Sequence, residues 1–330
     1  MEVVIVGHGL AGAILSHTLM KRGISACVLE ANKAHAASKV SAGLINPLIG
    51  PKLNIPHDFT ECMEENLRFF PEIEKVCGES FLDPIDLLRV FTSFAQLEKW
   101  GSISSPYQVE LLDEAKCREL GVDCPFGLGK TSAWILNSEK FITYSRSVLT
   151  SKGNYIEKVF EPEEWVNHPV IFCEGFRVTQ NRWFQFLPFA PAQGDVLTVQ
   201  SSLRHHLSNG TWHLFDLKSA TARIGSSWKY ENLEEGPDEN AKLEIIKKLC
   251  FVPNIHHQKI LEHNSGVRSG TRDRQPIIGR HPDYPNYYIF NGFGSRGCTT
   301  LVKSAREFVR FFLEDIPLPE SKNLMRFVNS

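Results

Sequence analysis

"VVIVGHGLAG", Val3 to Gly12, sets a short β-branched run against three glycines spaced G-x-G-x-x-G. Val3 to Val6 reads as a strand buried on both faces, and Ala13-Ile14-Leu15 through Leu19-Met20 as a helix, so strand, glycine turn and helix follow one another. The three glycines act differently. Gly7 permits the tight turn, Gly9 lets backbone approach a pyrophosphate, and Gly12 lets the helix pack closely on the strand. The helix N-terminus presents unpaired N–H groups and a positive dipole end to phosphates. Gly23 ends the helix, "ISACVLE" makes a second buried strand, and Glu30 stands at its tip, about 20 residues past the glycines, where an acid bonds both ribose hydroxyls. No arginine follows Glu30 directly, which disfavours a 2'-phosphate; FAD or NAD is expected rather than NADP.

After the second strand the β-α alternation of a plain NAD dehydrogenase does not continue. "HAASKVSAGLINPLIGPKL", His35 to Leu53, is rich in small residues and turn formers. A helix with Phe59, Met63, Leu67 and Phe70 at helical spacing comes next, then mixed stretches around "DPIDLLRVF" and "YQVELLDEAKCRELGV". From Gly194 to Trp228 the runs "DVLTVQ", "WHLFDL" and "ARIGSSW", with a turn at "SNG", alternate as an antiparallel sheet would. "NHPVIFCEGF" reads as a buried parallel-type strand ending in Gly175. The fold class expected is α/β, α+β overall: a nucleotide-binding domain interrupted by pieces of an antiparallel domain, without internal repeats or low-complexity segments.

The composition, 330 residues with 42% hydrophobic and 22% charged, is that of an ordinary globular chain of about two domains. A net charge of -2 gives no global attraction to phosphate backbones, so an anion would have to be held locally. "GVRSGTRDRQPIIGRHP", Gly266 to Pro282, is the strongest such place, with Arg268, Arg272, Arg274 and Arg280 against the single acid Asp273. Arg268 there reads either as an anion ligand or as a salt-bridge partner of Asp273. A second loop, "NGFGSRG", follows the strand "YYIF" and precedes a helix carrying Leu301, Ala305, Phe308, Val309 and Phe312 on one face, so its free amides point at whatever the loop holds. An ordinary capped helix would look the same.

Eight cysteines, Cys27, Cys62, Cys77, Cys117, Cys124, Cys173, Cys250 and Cys298, form no C-x-x-C and no regular framework; reduced thiols in an intracellular protein are expected. His205-His206 and His256-His257 are adjacent rather than helix-spaced, so no metal site is expected. No apolar run approaches the ~20 residues of a membrane span, and a soluble, cytoplasmic protein is expected.

At this point the chain resembles the FAD-dependent D-amino-acid oxidase family, most closely its glycine oxidase and sarcosine oxidase branch. The blocks that carry the resemblance, in family order, are "VVIVGHGLAG" with Glu30, "ASKVSAGLINP", "VIFCEG", "APAQGDVLTV", "GVRSGTRDRQPIIGRHP" and "YYIFNGFGSRGCTTLVKSAREFVRFFLED". The resemblance implies a Rossmann-like FAD-binding domain made of residues 1–75, 141–176 and 262–330, interleaved with an antiparallel-sheet substrate domain of residues 76–140 and 177–261. It implies FAD held non-covalently: Gly7, Gly9, Leu10, Ala11 and Gly12 along the pyrophosphate, Glu30 and Ala31 at the ribose, Ser38, Ala42, Gly43 and Leu44 along the ribityl chain and flavin ring. Val159 in "YIEKVF" would offer backbone to the adenine, Gly175 would end its strand at the cofactor, and Gly294, Ser295, Gly297, Cys298 and Thr299 would contact the flavin pyrimidine.

Arg268 matches the arginine that grips the substrate carboxylate, and Arg296 a second arginine beside it. The implied activity is oxidation of a small amine or amino acid by hydride transfer to flavin N5, the imine then being hydrolysed, with oxygen as the expected electron acceptor. Two alternatives stand beside it. One is oxidative removal of a carboxymethyl group from a modified tRNA wobble uridine, with Lys218, Arg223, Lys229 and Arg268 as local basic support. The other is a flavin-binding protein without turnover, motivated by Glu174 at a position usually small and by the absence of a substrate-binding tyrosine, for which Trp228 or Tyr230 would substitute.

Overall fold

In the structure, a computed structural model that describes residues 2–103, 107, 109–216, 220–249, 252 and 255–328, the first strand, β1 (Glu2–Val6), lies inside a sheet covered on both faces. Its side chains alternate between two cores. Val3 and Ile5 join Leu15, Phe70, Phe141 and Phe308, while Val4 and Val6 join Phe172, Phe184 and Ile277. A strand apolar on both sides belongs in a sheet interior, which is what the continuous β-branched run encodes.

The next strands are β2 (Ser25–Leu29), β3 (Leu44–Ile45), β4 (Leu82–Val90), β5 (Val109–Leu112), β6 (Leu128–Leu136), β7 (Tyr155–Ile156) and β8 (Val170–Phe172). They are followed by β9 (Ala192–Gln200), β10 (His206–Ser208), β11 (His213–Asp216), β12 (Thr221–Gly225), β13 (Ile260–Arg268), β14 (Ile277–Arg280) and β15 (Tyr287–Asn291). A six-stranded sheet runs β14-β15-β8-β1-β2-β7, parallel except at the antiparallel edge β14. The helices Leu10–Lys21 and Gly297–Glu314 pack on one side of it, burying Leu15, Leu19, Leu301 and Phe308. The parallel strands β1, β2, β8 and β15 end together at Gly7, Glu30, Cys173 and Gly292, and the crevice beyond such carboxyl ends is where open α/β sheets place ligands.

The second sheet has nine strands in the order β13-β9-β12-β11-β10-β4-β6-β3, with β5 also on β6. The antiparallel runs read from Gly194 to Trp228 are here as β9, β11 and β12. Two pieces differ from the expected division of the chain. Leu44–Ile45 pairs with β6 and Ile260–Arg268 pairs with β9, so both lie in the nine-stranded sheet although they fall mainly within the stretches expected of the cofactor part. One face of this sheet is apolar, carrying Leu88, Val90, Leu128, Leu197, Leu207, Leu214 and Ile224 against the helix Glu239–Lys248. Period-two alternation leaves the other face to Arg89, Thr131, His213, Arg223 and Arg268.

The helix Phe59–Cys77 carries the expected stripe with one displacement: Phe59, Met63 and Phe70 are buried, Leu67 is turned outward, and Asn66 takes an inner position. Asn66 points inward because its amide donates to the carbonyls of Cys298 and Thr299 at 3.3 and 3.1 Å, satisfying buried backbone at the start of the last helix. The expectation that all thiols are reduced is corrected at one pair. Cys117 and Cys124 are joined as a disulfide, because the turn at Gly121 after the helix Glu114–Glu119 folds the chain back and brings their Cα atoms to 6.5 Å. Cys27, Cys62, Cys77, Cys173 and Cys298 are free; Cys250 lies outside the described residues. Among the described residues no helix is long and apolar enough to cross a membrane.

Candidate functional site

At the carboxyl end of β1 the backbone leaves no room for side chains. A Cβ on Gly7, with φ at +100°, would lie 2.7 Å from the carbonyl oxygen of Cys173, and one on Gly12 would lie 2.1 Å from that of Gly7. The helix that begins at Leu10 can therefore start directly above the strand, with its first amides free to face an anion. Glu30, at the tip of β2, accepts hydrogen bonds from the backbone N–H of His8 at 2.6 Å and of Asn32 at 2.7 Å. Each carboxylate oxygen keeps a further lone pair for a ribose hydroxyl. Beneath this turn the His8 ring is 3.1 Å from Ser145 Oγ, and burial, helped by the charges of His17, Arg146 and Lys39, pushes its pKa down to about 4. His8 is thus neutral at physiological pH and adds no charge to the phosphate position.

The segment from Ala36 to Ile45 is gripped from both ends. Ala36 bridges to Val267 of β13, and the carbonyl of His35 accepts from Val267 N at 2.9 Å. Gly43, at φ +72°, packs so closely on β6 that a Cβ would meet the Leu136 carbonyl oxygen at 1.8 Å, while Leu136 N donates to Gly43 O at 2.9 Å. A Cβ on Gly9 would lie 3.2 Å from Ser38 Oγ, and the Ser38 carbonyl accepts from Ser138 Oγ at 2.9 Å. Ala42 and Leu44 are half-buried between these anchors, and Ala31 is exposed beside Glu30. On the far side, Gly294 N donates to Ser269 O at 2.8 Å, which joins the last glycine-rich loop to the end of β13. In that loop Ser295 is exposed, Gly297 opens the final helix, Thr299 is buried, and burial pushes the Cys298 thiol up to about 11.

Arg268 is the last residue of β13, and its side chain lies back across Gly194. A Cβ on Gly194 would be 2.0 Å from Arg268 Nη2, so this strand glycine makes room for the guanidinium. Nη2 donates to Ser226 Oγ at 2.5 Å, and the guanidinium carbon stands 4.2 Å from the centre of the Trp228 ring. Among the described residues no carboxylate forms an ion pair with Arg268. Asp273, the nearby candidate, instead accepts from Arg326 Nε at 2.9 Å. Burial lowers the Arg268 pKa to about 10 against the opposing influence of Tyr230 and Asp195, so it remains a cation at neutral pH. A largely buried guanidinium held only by neutral oxygens and a ring retains unused donors and an uncompensated charge, which is the makings of an anion site.

Three of the residues read from the sequence stand differently. Arg296 is ion-paired: its Nη2 donates to Asp58 Oδ1 at 2.9 Å at the start of the helix Phe59–Cys77. Burial works to raise the Asp58 pKa, but the hydrogen bond and charge of Arg296 outweigh it and hold the carboxyl below its usual range. Val159 lies beyond the end of its strand, because β7 pairs with β2 only at Tyr155 and Ile156; the Ile156 carbonyl, not Val159, meets the backbone of Glu30 at 3.0 Å. Glu174 is tied to a residue further along its own segment. It accepts from Asn181 Nδ2 at 2.7 Å, burial raises its pKa, and the adjoining Gly175, at φ +59°, gives its carbonyl to Asn291 Nδ2 at 2.9 Å. Lys229 is paired with Glu235 and Asp238, Arg223 donates to Ser41 O at 3.3 Å, and Lys218 lies outside the described residues. The sequence reading passed over Gly194, Ser226 and Ser227; the signal available was a glycine inside a strand pattern.

Residues 2–310 match the family described as FAD dependent oxidoreductase. The chain is 25% identical over 351 residues to the tRNA 5-methylaminomethyl-2-thiouridine biosynthesis bifunctional protein MnmC of Legionella pneumophila (strain Lens), covering 90% of this chain and 52% of that protein. The chain thus spans about half the length of these curated relatives. It is 30% identical over 127 residues to glycine oxidase of Bacillus subtilis (strain 168), covering 36% of this chain and 34% of that enzyme. The fold is that of the crystal structure of glycine oxidase from Geobacillus kaustophilus, with a TM-score of 0.79, 16% identity, and 98% and 97% of the two chains covered.

Proposed function

The chain belongs to the FAD dependent oxidoreductase family, in its glycine-oxidase-like branch, and from that membership we propose that it oxidises an amine bearing a carboxylate, with Arg268 as the carboxylate ligand. The observation that carries the proposal is the Arg268 guanidinium, cationic and without an acid partner among the described residues, on a strand bonded to both the His35–Ile45 segment and the Gly294 loop. The cradle also suits the cofactor: bare backbone at Gly7 and Gly12, a helix N-terminus for the pyrophosphate, and Glu30 oxygens with free lone pairs for the ribose. In this reading the six-stranded sheet carries FAD, non-covalently, and the polar face of the nine-stranded sheet receives the substrate.

FAD, when bound, supplies the two-electron oxidant for removal of the α-hydrogen of the amine. What the chain itself contributes is position. A guanidinium that holds the carboxylate through two N–H donors fixes the α-carbon, and fixing the reactant geometry replaces a costly encounter. Trp228 stacks on the guanidinium and Ser226 holds one nitrogen, so the fork keeps one orientation. The dehydrogenated product is an imine, which water hydrolyses. Oxygen is the acceptor this reading assigns to the second half of the cycle.

A second reading, in which the amine is the carboxymethylated side chain of a modified tRNA uridine, is favoured by the relatives named for tRNA modification and by one local feature. Trp228 and Tyr230 are exposed beside Arg268, their rings 6.5 Å apart and 26° from parallel, a flat surface on which a base can stack. Binding of tRNA by the purified protein, followed against salt, separates the two. Affinity that falls steeply with salt supports the tRNA substrate, and no detectable binding removes it. For either substrate, Arg268→Ala raises KM for the amine, whereas an unchanged KM excludes Arg268 as the carboxylate ligand.

A further inference from the structure

The groups that hold Arg268 belong to one loop whose two ends rest on the same strand. Residues 226–238 join β12 to the helix Glu239–Lys248 and carry Ser226, Ser227 and Trp228 at their start. That start is fixed through backbone. Ser227 N donates to the Asp195 carbonyl at 3.3 Å, Asp195 N donates to Ser227 Oγ at 2.9 Å, and Gln193 and Lys229 exchange backbone hydrogen bonds of 2.9 and 3.0 Å. The end of the loop is held by the side chains of the same two residues. Gln193 Nε2 donates to the Gly236 carbonyl at 2.8 Å, and Asp238 N donates to Asp195 Oδ2 at 2.7 Å. A loop of this length with its ends close together is a compact unit.

Asp195 is the common anchor. It is wholly buried, its Oδ1 accepts from Gln193 Nε2 at 2.9 Å, and its Oδ2 lies 2.8 Å from His263 Nε2 on β13. With partners on both oxygens the carboxylate is held in one orientation, and it ties β9, β13 and the end of the loop together. Supporting the helix start does not call for it, because Asp238 already caps that helix with its own side chain, which accepts from Asn240 N at 2.8 Å. Between the anchors Trp228 and Tyr230 are exposed. Farther along, Glu234 pairs with Arg177 at 3.1 Å and accepts from Gln180 Nε2 at 3.1 Å, both on the turn Gly175–Gln180 that follows β8. The loop therefore runs from the cradle of Arg268 to residues at the end of a strand of the six-stranded sheet.

We propose that Asp195 is a positioning residue for the carboxylate site: it sets the 226–238 loop, and through Ser226, Ser227 and Trp228 the loop sets the orientation of the Arg268 guanidinium. This rests on the reading of Arg268 as the carboxylate ligand. Two-pronged recognition by a planar fork tolerates little rotation, so loss of the anchor weakens a carboxylate more than a neutral ligand of the same shape. Charge alone acts in the opposite direction. The negative charge of Asp195 is felt at Arg268, so removing it with the loop unmoved would strengthen the binding of an anion there. The sign of the change therefore separates position from charge.

The test uses the purified flavoprotein with benzoate and its neutral counterpart benzamide, in wild type, Asp195→Ala and Asp195→Asn. Dissociation constants are read from the perturbed flavin spectrum, FAD content from absorbance and stability from thermal melts. Wild type should bind benzoate about tenfold or more tightly than benzamide. That ratio should fall at least about fivefold in Asp195→Ala at equal FAD content, and by less in Asp195→Asn, which keeps one acceptor for Asp238 N. A melting temperature that drops while the ratio holds would reveal a structural role only and overturn the proposal, as would a ratio that rises. If Asp195→Ala does not fold, Asp195→Asn decides alone, and its ratio must still fall below wild type. A second measurement is independent of any ligand: the guanidinium N–H NMR signals of Arg268, assigned by their loss in Arg268→Lys, should shift or broaden in the Asp195 variants. Arg268 signals that do not respond to Asp195 would sink the positioning role alone. Signals that respond in a protein with no preference for benzoate would instead sink the proposed carboxylate ligand and leave the positioning of Arg268 standing.

Discussion

Arg268 and Arg296 are both candidates on family resemblance, and their surroundings separate them. Arg268 rests on Ser226, Ser227 and the face of Trp228, with no acid partner among the described residues. Arg296 is neutralised by Asp58, 238 positions away in the chain, and a pairing so remote leaves no local pattern in a single sequence. Arg268→Ala should lower kcat/KM for the amine by roughly a hundredfold or more, because it removes the charged partner of a buried carboxylate. Steady-state kinetics with the FAD content of each preparation checks this; equal FAD content and unchanged kcat/KM would refute the role. Arg268→Lys should recover only part of the loss, since an ammonium cannot offer the planar fork. Glu174 is legible in the sequence as an oddity, but its turn toward Asn181 depends on a residue seven positions later whose rotamer the sequence does not specify.

Strands and helices are legible where periodicity is strong. The β-branched run of β1, the buried strand β2, the alternation in β9 and β12, and the stripe of the final helix all appear in the structure as read. Sheet membership of β13 and β3 is not, because register partners are non-local and the same alternating run suits either sheet. Val159 illustrates the same limit: "YIEKVF" has strand composition, yet only Tyr155 and Ile156 find partners. Gly43 is the element-scale hinge pin of the site, since it lets the His35–Ile45 segment touch β6 as bare backbone. Gly43→Ala should destabilise the protein by at least about 2 kcal/mol and lower its FAD occupancy, from the left-handed φ together with the clash on Leu136. Chemical denaturation and the flavin-to-protein absorbance ratio measure both effects. Wild-type stability with full flavin would contradict the packing described for this segment.

At the scale of the molecule, the two sheets are tied together near β13, where Val267 bonds to the His35–Ala36 backbone and Ser269 to the Gly294 loop. Among the described residues three imidazoles are buried neutral: His8 under the glycine turn, His17 on the first helix and His213 on the polar face of the nine-stranded sheet, each with its pKa pushed from 6.5 down to about 4, first of all by burial. The unfolded chain takes up those protons at higher pH than the folded one, so their contribution to stability is present above pH 6.5 and is lost progressively as pH falls toward 4. Thermal melts across that window should show Tm falling, and His17→Asn should flatten the fall; a flat profile in the wild type would contradict the neutral burial.

The central claim, that the Arg268 site serves amine oxidation, is tested most directly by the visible absorption spectrum of the purified protein under anaerobic conditions. The panel comprises glycine, sarcosine, proline, D-amino acids and carboxymethylaminomethyluridine in tRNA. A flavin spectrum that bleaches with at least one of these, and bleaches more slowly in Arg268→Ala, is the predicted result. A yellow protein whose spectrum no member of the panel reduces would contradict the account.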